Sequence, residues 1–270
     1  MRSIKALVLT GYGINCDHET AYALASAGAS ADRVHINALI DGSVRLNDYR
    51  ILVFDGGFSW GDDHGAGVIQ AVRLKTNIGD KLIDFVDSGR LVLGICNGFQ
   101  ALVNTGLLPG FGGDYRSRAL ALAANDCGNF RDDWVSLQVN PKSPCIFTQG
   151  IEHIELPIRH GEGKFCADPA VLQQLMNGNQ VVVQYALADG ELAGGRFPCN
   201  PNGSIKDIAG VCDPTGRVFG LMPHPEAYNH FTNHPDWTRR KEMLKRRGES
   251  IDDELPPGLK IFKNAVEYLG

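Results

Sequence analysis

A cysteine lies between two glycines directly after an apolar run, in the sequence Gly94-Ile95-Cys96-Asn97-Gly98. The apolar residues 91–93 predict a buried strand, and the glycines allow a sharp turn into a helix that starts at once. At a helix N-terminus, the helix dipole and the free backbone N–H groups favour a thiolate over a thiol. Cys96 is therefore a candidate nucleophile.

A second motif could supply the base that such a cysteine needs. The sequence Pro223-His224-Pro225-Glu226 follows another apolar run, residues 218–222, and its two prolines stiffen the backbone around the histidine. His224 is the candidate base, and Glu226 is the candidate carboxylate that fixes the tautomer of the imidazole. The two motifs are far apart in the sequence, so only the fold can bring them together.

Each of these residues also has a simpler, non-catalytic interpretation. A cysteine after an apolar strand is usually a buried core thiol, and His224 and Glu226 alone would be a turn histidine and a surface carboxylate. A cysteine α/β-hydrolase shares the elbow but places its acid before the histidine, whereas Glu226 follows His224. A non-catalytic scaffold of the same fold would be expected to lack the cysteine or its base. His224, His230 and His234 could suggest a metal, but Pro225 and Pro235 break the helical spacing, so no metal site is predicted.

Composition limits the class of protein. The chain has 270 residues, of which 43% are hydrophobic and 21% charged, so one domain over residues 1–270 is predicted. A net charge of −5 provides no basic field for nucleic acid or anionic membranes, and neither partner is expected. The seven cysteines show no Cys-x-x-Cys pair, which is typical of a reducing compartment. The apolar run 4–9 is too short for a membrane span and precedes no cleavage-site pattern, so a cytoplasmic location is predicted.

Strands and helices alternate in the first part of the chain. Residues 4–9, 51–54 and 91–95 predict buried strands, and Asp17 is the predicted N-cap of a helix that ends at Gly28. A helix is predicted over residues 65–86 and another after Cys96. The first of these has a predicted buried face of Val68, Val72, Ile78, Leu82 and Phe85, and the second one of Phe99, Leu102, Val103 and Gly106. This order favours an α/β fold with a parallel sheet, in which sites lie beyond the carboxyl ends of the strands.

The pattern changes after residue 110. Shorter strands are predicted at residues 120–122, 135–139, 154–158, 181–184, 205–211 and 218–221, which indicates an added antiparallel section. Residues 228–258 differ in composition, with a basic run followed by an acidic one, and predict a solvated helix and loop inserted at the surface. A final helix is predicted over residues 258–269.

Six motifs stand out when the chain is taken as a whole. In chain order they are Gly13-Ile14-Asn15-Cys16-Asp17, Gly56-Gly57-Phe58-Ser59-Trp60-Gly61-Asp62, Cys96-Asn97-Gly98-Phe99-Gln100, His160-Gly161-Glu162-Gly163-Lys164-Phe165, Asn200-Pro201-Asn202-Gly203-Ser204 and Met222-Pro223-His224-Pro225-Glu226. Together they resemble the motifs of a known family, the class I glutamine amidotransferases. Within that family the chain is similar to the glutaminase subunits of phosphoribosylformylglycinamidine synthase, an enzyme of purine biosynthesis. The resemblance implies a flavodoxin-like, doubly wound, mostly parallel sheet with a nucleophile elbow.

The resemblance also implies residue roles. It makes Cys96, His224 and Glu226 a catalytic triad that hydrolyses L-glutamine through a cysteinyl thioester. The oxyanion would be held by the backbone N–H groups of Gly57 and Asn97. The glutamine contacts would fall at Phe58, Gln100, His160, Gly161 and Glu162.

The implied partner is a synthetase subunit, accompanied by a small accessory subunit. Ammonia released here would pass to that synthetase, which would use ATP and Mg to convert formylglycinamide ribonucleotide to formylglycinamidine ribonucleotide. This chain has no Gly-x4-Gly-Lys-[Ser/Thr] phosphate loop, so no cofactor is predicted on it. A glutaminase component for another ammonia acceptor is the alternative. Two positions depart from the family pattern: Asp55, where proline is usual, and Ala227, where arginine commonly follows the glutamate.

Overall fold

The computed structural model describes residues 4–249 and 255–270 of the chain. Within these residues the strands are β1 Lys5–Thr10, β2 Ser30–His35, β3 Ile51–Phe54, β4 Leu91–Ile95, β5 Leu120–Ala124, β6 Arg131–Val139, β7 His153–His160, β8 Glu162–Ala167, β9 Val181–Ala186, β10 Ile208–Cys212 and β11 Val218–Leu221. The α-helices are α1 Asp17–Ser26, α2 Ile36–Ile40, α3 Val68–Asp87, α4 Asn97–Thr105, α5 Pro169–Asn177, α6 Trp237–Arg247 and α7 Pro257–Leu269.

One nine-stranded sheet has the order β2-β1-β3-β4-β11-β10-β9-β6-β7. Neighbouring strands are parallel from β2 to β11 and antiparallel from β11 to β7. The parallel part has the 2-1-3-4-5 order of flavodoxin-like folds. The predicted α/β class and the added antiparallel section are therefore confirmed. Strands β5 and β8 form a separate antiparallel ribbon.

The central strands are apolar because both of their faces are covered. Every residue of β3, β4 and β11 is buried. Helix α1 packs against α7, while α3 packs against α2 and α4, so the helices form two groups, as expected for a sheet covered on both sides. Because β3, β4 and β11 are parallel, their carboxyl ends meet at one edge. The motifs that contain Gly56, Cys96 and His224 follow the ends of β3, β4 and β11, respectively.

Three details of the predicted helices are wrong. Cys16, not Asp17, is the N-cap residue of α1, and the Asp17 carboxylate instead accepts a hydrogen bond from Arg33 at 2.8 Å. Helix α3 begins at Val68 rather than at residue 65. Val72 is 55% exposed, because two residues place it about 200° around the helix from the buried Leu74.

Some elements carry no clear signal in the sequence. Strand β2 lies at the sheet edge with only Val34 buried, so it lacks the apolar run of a central strand. Strand β8 and helix α5 were also not predicted, because residues 162–177 mix charged, small and apolar types. Residues 205–207 form a 3-10 turn, so the strand predicted from residue 205 begins at Ile208.

The segment 228–258 begins with buried residues and continues into a helix that is exposed to solvent. Tyr228 and His234 are buried, and the rings of both contact Trp134. Helix α6 has no buried residue, and Arg240 on it forms an ion pair with Glu155 of β7. The prediction of a solvated helix agrees with α6, while the acidic residues 252–254 lie outside the described residues.

Two further features concern the chain as a whole. Among the residues that the structure describes, no helix is both long enough and apolar enough to cross a bilayer. All seven cysteines are free thiols, and four of them, Cys16, Cys96, Cys145 and Cys212, are buried.

Candidate active site

Cys96 occupies a strained turn between β4 and α4. Its backbone angles are φ 51° and ψ −107°, a conformation that L-residues rarely adopt and that is typical of functional sites. The turn is packed closely: a Cβ on Gly98 would lie 1.9 Å from the carbonyl oxygen of Phe54, so only glycine fits there. The thiol is buried and donates to the carbonyl oxygen of Arg159 at 3.6 Å. The sequence thus predicted the elbow correctly.

His224 and Glu226 are brought to Cys96 by the neighbouring strand. The backbone N–H of Cys96 donates to Leu221, the last residue of β11, at 2.8 Å. Three residues later, His224 is held by its own backbone N–H, which donates to Pro157 at 2.8 Å. Its Nδ1 lies 2.5 Å from Oε1 of Glu226, and both side chains are buried. Because a carboxylate only accepts, Nδ1 carries a proton, and Nε2 is the nitrogen left for chemistry.

The surroundings of His224 favour its charged form. Burial alone lowers the pKa of the imidazole, but the charges of Glu226 and Cys96 raise that pKa well above its usual value. Nε2 of His224 is buried and has no hydrogen bond of ordinary geometry to the described residues. The arrangement can therefore hold an imidazolium beside a thiolate, with a buried carboxylate behind it.

The turn after β3 approaches the start of α4. Gly57 forms an isolated β-bridge with Ile14, and a Cβ on Gly57 would lie 2.6 Å from the carbonyl oxygen of Gly13. Its φ of 148° also excludes most side chains. The backbone N–H of Ser59 donates to Oδ1 of Asn97 at 3.2 Å, which ties this turn to the first residue of α4. Gly57 and Asn97, the predicted oxyanion-hole residues, are thus linked through one short turn.

A second cysteine, Cys16, lies against the histidine. Its sulfur is 4.0 Å from Nδ1 of His224, and burial, more than any other cause, raises the pKa of this thiol to about 11. Ligand atoms of Cys16, His224 and Glu226 all lie within 4.8 Å of one another, as they would in a metal centre. Nδ1 of His224, however, already donates to Glu226, so the closeness of these two side chains is explained by a hydrogen bond. We therefore assign no metal ligand here. Cys16 stands in the N-terminal motif, which was the only signal for it.

A cleft of about 320 Å³ opens beside His224. Arg159 and Glu19 place opposite charges on its walls, and the partly exposed rings of Phe58 and Phe130 lie with their centroids 6.0 Å apart. Such a cleft suits a small molecule that carries both charges and an apolar stem. Its lining consists of Asn15, Cys16, Glu19, Gly57, Phe58, Phe130, Arg159 and His224.

Comparison with known proteins identifies the family. The family model of the CobB/CobQ-like glutamine amidotransferase domain matches residues 3–269. The chain belongs to this family. It is 47% identical over 264 residues to phosphoribosylformylglycinamidine synthase subunit PurQ of Methanococcus maripaludis, covering 98% of this chain and 97% of the relative. The same subunit of Dehalococcoides mccartyi is 44% identical over 268 residues, covering 99% of this chain and 98% of the relative.

A solved structure supports the same conclusion. A chain in the structure of PurLQS from Thermotoga maritima superposes with a TM-score of 0.71 at 30% identity, and the match covers 99% of this chain and 100% of that chain. The predicted resemblance to the glutamine amidotransferases is therefore confirmed. The roles of individual residues in this amidotransferase are argued from the geometry of the site.

The five predicted glutamine contacts fall into two groups. Phe58 is 43% exposed and lines the cleft. Gln100 is buried, with Nε2 donating to the carbonyl oxygen of Glu162 at 2.6 Å and Oε1 accepting from Asn97 at 3.2 Å. Gln100 thus joins the elbow helix to the turn at residue 162. In this amidotransferase its amide already has partners, and a direct contact with glutamine stays a prediction.

The remaining three residues lie in or beside that same turn. His160 is buried, and its Nδ1 donates to Oδ1 of Asn125 at 3.1 Å, because the amide nitrogen of Asn125 already donates elsewhere. Burial, reinforced by the charge of His224, lowers the pKa of His160 to about 3. Gly161 accepts from the backbone of Asn125 at 2.9 Å, and the carboxylate of Glu162 accepts from the backbone of Ala66 at 3.1 Å. These contacts indicate support of the turn, and binding of glutamine by these residues stays a prediction.

Sequence reasoning missed several residues of the site. Arg159, Glu19 and Phe130 reach the cleft from elements whose mutual position only the fold determines. Asp62 accepts from the side chain of Asn97 at 3.0 Å, and burial, followed by the charge of Glu162, raises its pKa to about 6. In the sequence, only the position of Asp62 at the end of the motif 56–62 indicated a role in the site.

Proposed function

We propose that this chain is the glutaminase component of a phosphoribosylformylglycinamidine synthase, with Cys96, His224 and Glu226 as its catalytic residues. The observation that carries the proposal is the pairing of β4 with β11. It sets a strained cysteine at the start of a helix beside a histidine whose other nitrogen donates to a buried carboxylate. The family and the PurQ relatives, matched over nearly their full length, support the same activity.

The first half of the reaction forms a thioester. The Cys96 thiolate attacks the side-chain amide carbon of L-glutamine, and the resulting oxyanion is stabilised by the backbone N–H groups of Gly57 and Asn97. One such donor typically contributes about 3–4 kcal/mol to transition-state stability. His224 donates its Nε2 proton to the leaving nitrogen as the carbon–nitrogen bond breaks, so ammonia and neutral imidazole result. Glu226 keeps Nδ1 protonated throughout.

The second half regenerates the enzyme. Neutral His224 accepts a proton from water, the oxygen attacks the thioester, and the carbon–sulfur bond breaks to give glutamate and the Cys96 thiolate. The charges of Arg159 and Glu19 suit the α-carboxylate and α-amino groups of a bound amino acid. The proposed glutamine site is completed by Phe58 in the cleft wall and by His160, Gly161 and Glu162 at the β7–β8 turn, to which Gln100 of α4 donates.

In this proposal the ammonia is transferred to a partner subunit. Ammonia must stay unprotonated to act as a nucleophile, so it passes directly to a synthetase subunit that converts formylglycinamide ribonucleotide to formylglycinamidine ribonucleotide. ATP and Mg bind to that subunit, and a small accessory subunit completes the complex. A relative in the PurLQS structure supports assembly with such partners.

We also propose one domain over residues 1–270 with a surface insertion at residues 228–258, supported by the nine-stranded sheet and by the solvated α6. The cytoplasm stays our prediction for its location, based on the free cysteines.

Replacing the nucleophile separates the two half-reactions. We expect the glutamine-dependent turnover of Cys96→Ser, reconstituted with the synthetase, to be lower than that of the wild type by more than about a thousandfold. The reason is that a serine hydroxyl stays protonated and attacks poorly. The same complex should still form formylglycinamidine ribonucleotide from ammonium salt at high pH, because the synthetase step needs only ammonia. Product formation with each nitrogen donor is the measurement.

Cys166→Ser is the matched control. Cys166 is half-buried on β8, and its thiol donates to the carbonyl oxygen of Lys164, a bond that serine can also make. This variant should keep both activities.

A glutamine-analogue electrophile should label Cys96 in the wild type, with protection by glutamine but not by esters. Normal glutamine-dependent turnover by the Cys96→Ser complex would show that the nucleophile is assigned wrongly.

A further inference from the structure

Asp55 is a fully buried carboxyl group directly after β3. Its Oδ1 accepts two hydrogen bonds, from the hydroxyl of Thr20 at 2.8 Å and from the backbone N–H of Gly56 at 2.9 Å. Its Oδ2 is buried without a hydrogen-bond partner among the described residues, and no ion pair of that part of the chain includes Asp55. A buried carboxylate oxygen with no donor is costly, whereas a protonated one can itself donate.

Glu226 has a matching oxygen that can accept such a proton. This side chain is also fully buried, its Oε1 accepts from His224, and its Oε2 is buried without a hydrogen-bond partner among the described residues. The residue after Asp55 lies against the histidine ring that Glu226 holds. A Cβ on Gly56, the residue after Asp55, would be 2.9 Å from the ring of His224 and 3.1 Å from the sulfur of Cys16.

The charges around Asp55 oppose its ionisation. Burial is the first cause and the charge of Glu226 the second cause that hold the pKa of Asp55 well above its usual value. The carboxylate of Asp17 on helix α1 acts in the same direction, whereas the hydrogen bonds from Thr20 and Gly56 act against it and are outweighed. The thiol of Cys16 and the ring of His224 face the same region. Two carboxyl groups in one buried region do not both ionise readily, as in other carboxyl pairs that share a proton.

We propose that Asp55 is a positioning residue that stays protonated and donates its Oδ2 proton to Oε2 of Glu226. Every oxygen of the pair then has a partner: Oδ1 accepts from Thr20 and Gly56, Oδ2 donates, Oε2 accepts and Oε1 accepts from His224. Asp55 thereby orients Glu226, and Glu226 orients the histidine. Only this last step depends on the proposed function, because the carboxyl pair itself is a property of the fold.

Two substitutions test the hydrogen bond from Asp55. Asp55→Asn keeps an acceptor for Thr20 and Gly56 and keeps an N–H donor for Glu226, so glutamine hydrolysis by the reconstituted complex should stay within about threefold of wild type. Asp55→Leu keeps the branched shape of the side chain, but it is larger and can neither donate nor accept a hydrogen bond. We expect it to lower kcat about tenfold while KM changes little, because Glu226 is then left with an unpaired oxygen. Equal losses in both variants would overturn the positioning role.

Infrared spectroscopy tests the proton without any activity. Wild-type protein at pH 7 should show the C=O band of a buried protonated carboxyl group, which Asp55→Asn should lack and Glu226→Gln should retain. Loss of the band in Glu226→Gln alone, or its absence from the wild type, would overturn the assignment. If the wild type fails to hydrolyse glutamine, the proposed function fails while this measurement still decides the state of Asp55.

Stability provides a second readout that does not depend on activity. Folded Asp55 binds its proton more tightly than the unfolded chain does, so the free energy of unfolding of the wild type should fall relative to Asp55→Asn as the pH rises above about 4. Denaturant unfolding of both proteins from pH 4 upward measures this difference. Parallel curves would contradict a protonated Asp55.

Discussion

His160 should make the protein sensitive to mild acid. In the folded chain its pKa is about 3, mainly because burial disfavours the imidazolium, whereas in the unfolded chain it titrates near its ordinary value of about 6.5. The unfolded chain therefore binds one more proton between these two values. The stability that neutral His160 contributes is fully present above about pH 6.5 and is lost as the pH falls toward about 3.

The size of this effect follows from the pKa difference. Each pH unit in the window corresponds to about 1.4 kcal/mol, so acidification from pH 6.5 to 5 should cost about 2 kcal/mol of unfolding free energy from this residue alone. Over the whole window the cost reaches about 5 kcal/mol. That is comparable with the entire stability of many domains, about 5–15 kcal/mol.

The assay is urea unfolding of wild type and His160→Asn at half-unit steps from pH 7 to pH 5. Asparagine cannot gain a proton in this range, and its amide can donate to Asn125 as Nδ1 of His160 does. The variant should be less stable at pH 7 because its side chain is smaller, but its stability should fall less on acidification. His153→Asn, at an exposed position of the same strand, keeps His160 and should keep the wild-type slope. Parallel curves for wild type and His160→Asn would refute the reasoning.

Two further predictions concern packing near the site. Gly98→Ala should lower the free energy of unfolding by about 1–3 kcal/mol or more, because its Cβ would meet the carbonyl oxygen of Phe54 at 1.9 Å, and calorimetry should show a lower Tm. A Tm equal to that of the wild type would contradict the packing. Arg240→Ala should change the free energy of unfolding by less than about 1 kcal/mol and leave glutamine hydrolysis by the complex intact, because Arg240 and Glu155 are each about 30% exposed. A large loss in either measurement would mean that α6 matters more than its exposure indicates.

The sequence predicts the central elements well for a physical reason. Strands β3, β4 and β11 are buried on both faces, so each reads as an apolar run, and the glycines beside Cys96 mark the turn that follows. Among the described residues, edge strand β2 pairs only with β1, and it keeps polar residues that conceal it in the sequence. The Val72 position shows the limit of counting apolar residues, since only the angular position around the helix separates an exposed valine from a buried one.

Some residues of the site could likewise be predicted from local sequence, whereas others could not. Cys96, His224 and Glu226 could be proposed from local motifs, because each stands at the end of a strand or in a stiff turn. The contact of Cys16 with His224 and the environment of Asp55 depend on how the turn after β3 meets the start of α1, which no local pattern encodes. The burial of Gln100 and His160 likewise follows from tertiary packing.

The contact of Gly98 with Phe54 also bears on how the site can change shape. At Gly98 the backbone of helix α4 lies directly against the backbone of β3, and this contact restricts movement of the nucleophile relative to the sheet. Phe58, by contrast, lies on a turn that is partly exposed and carries left-handed residues such as Trp60 and Asp62. This turn is therefore less restrained than the nucleophile. An inhibitor that contacts only the thiol would meet a tightly packed element, whereas the affinity of one that also contacts Phe58 would depend on the position of this turn.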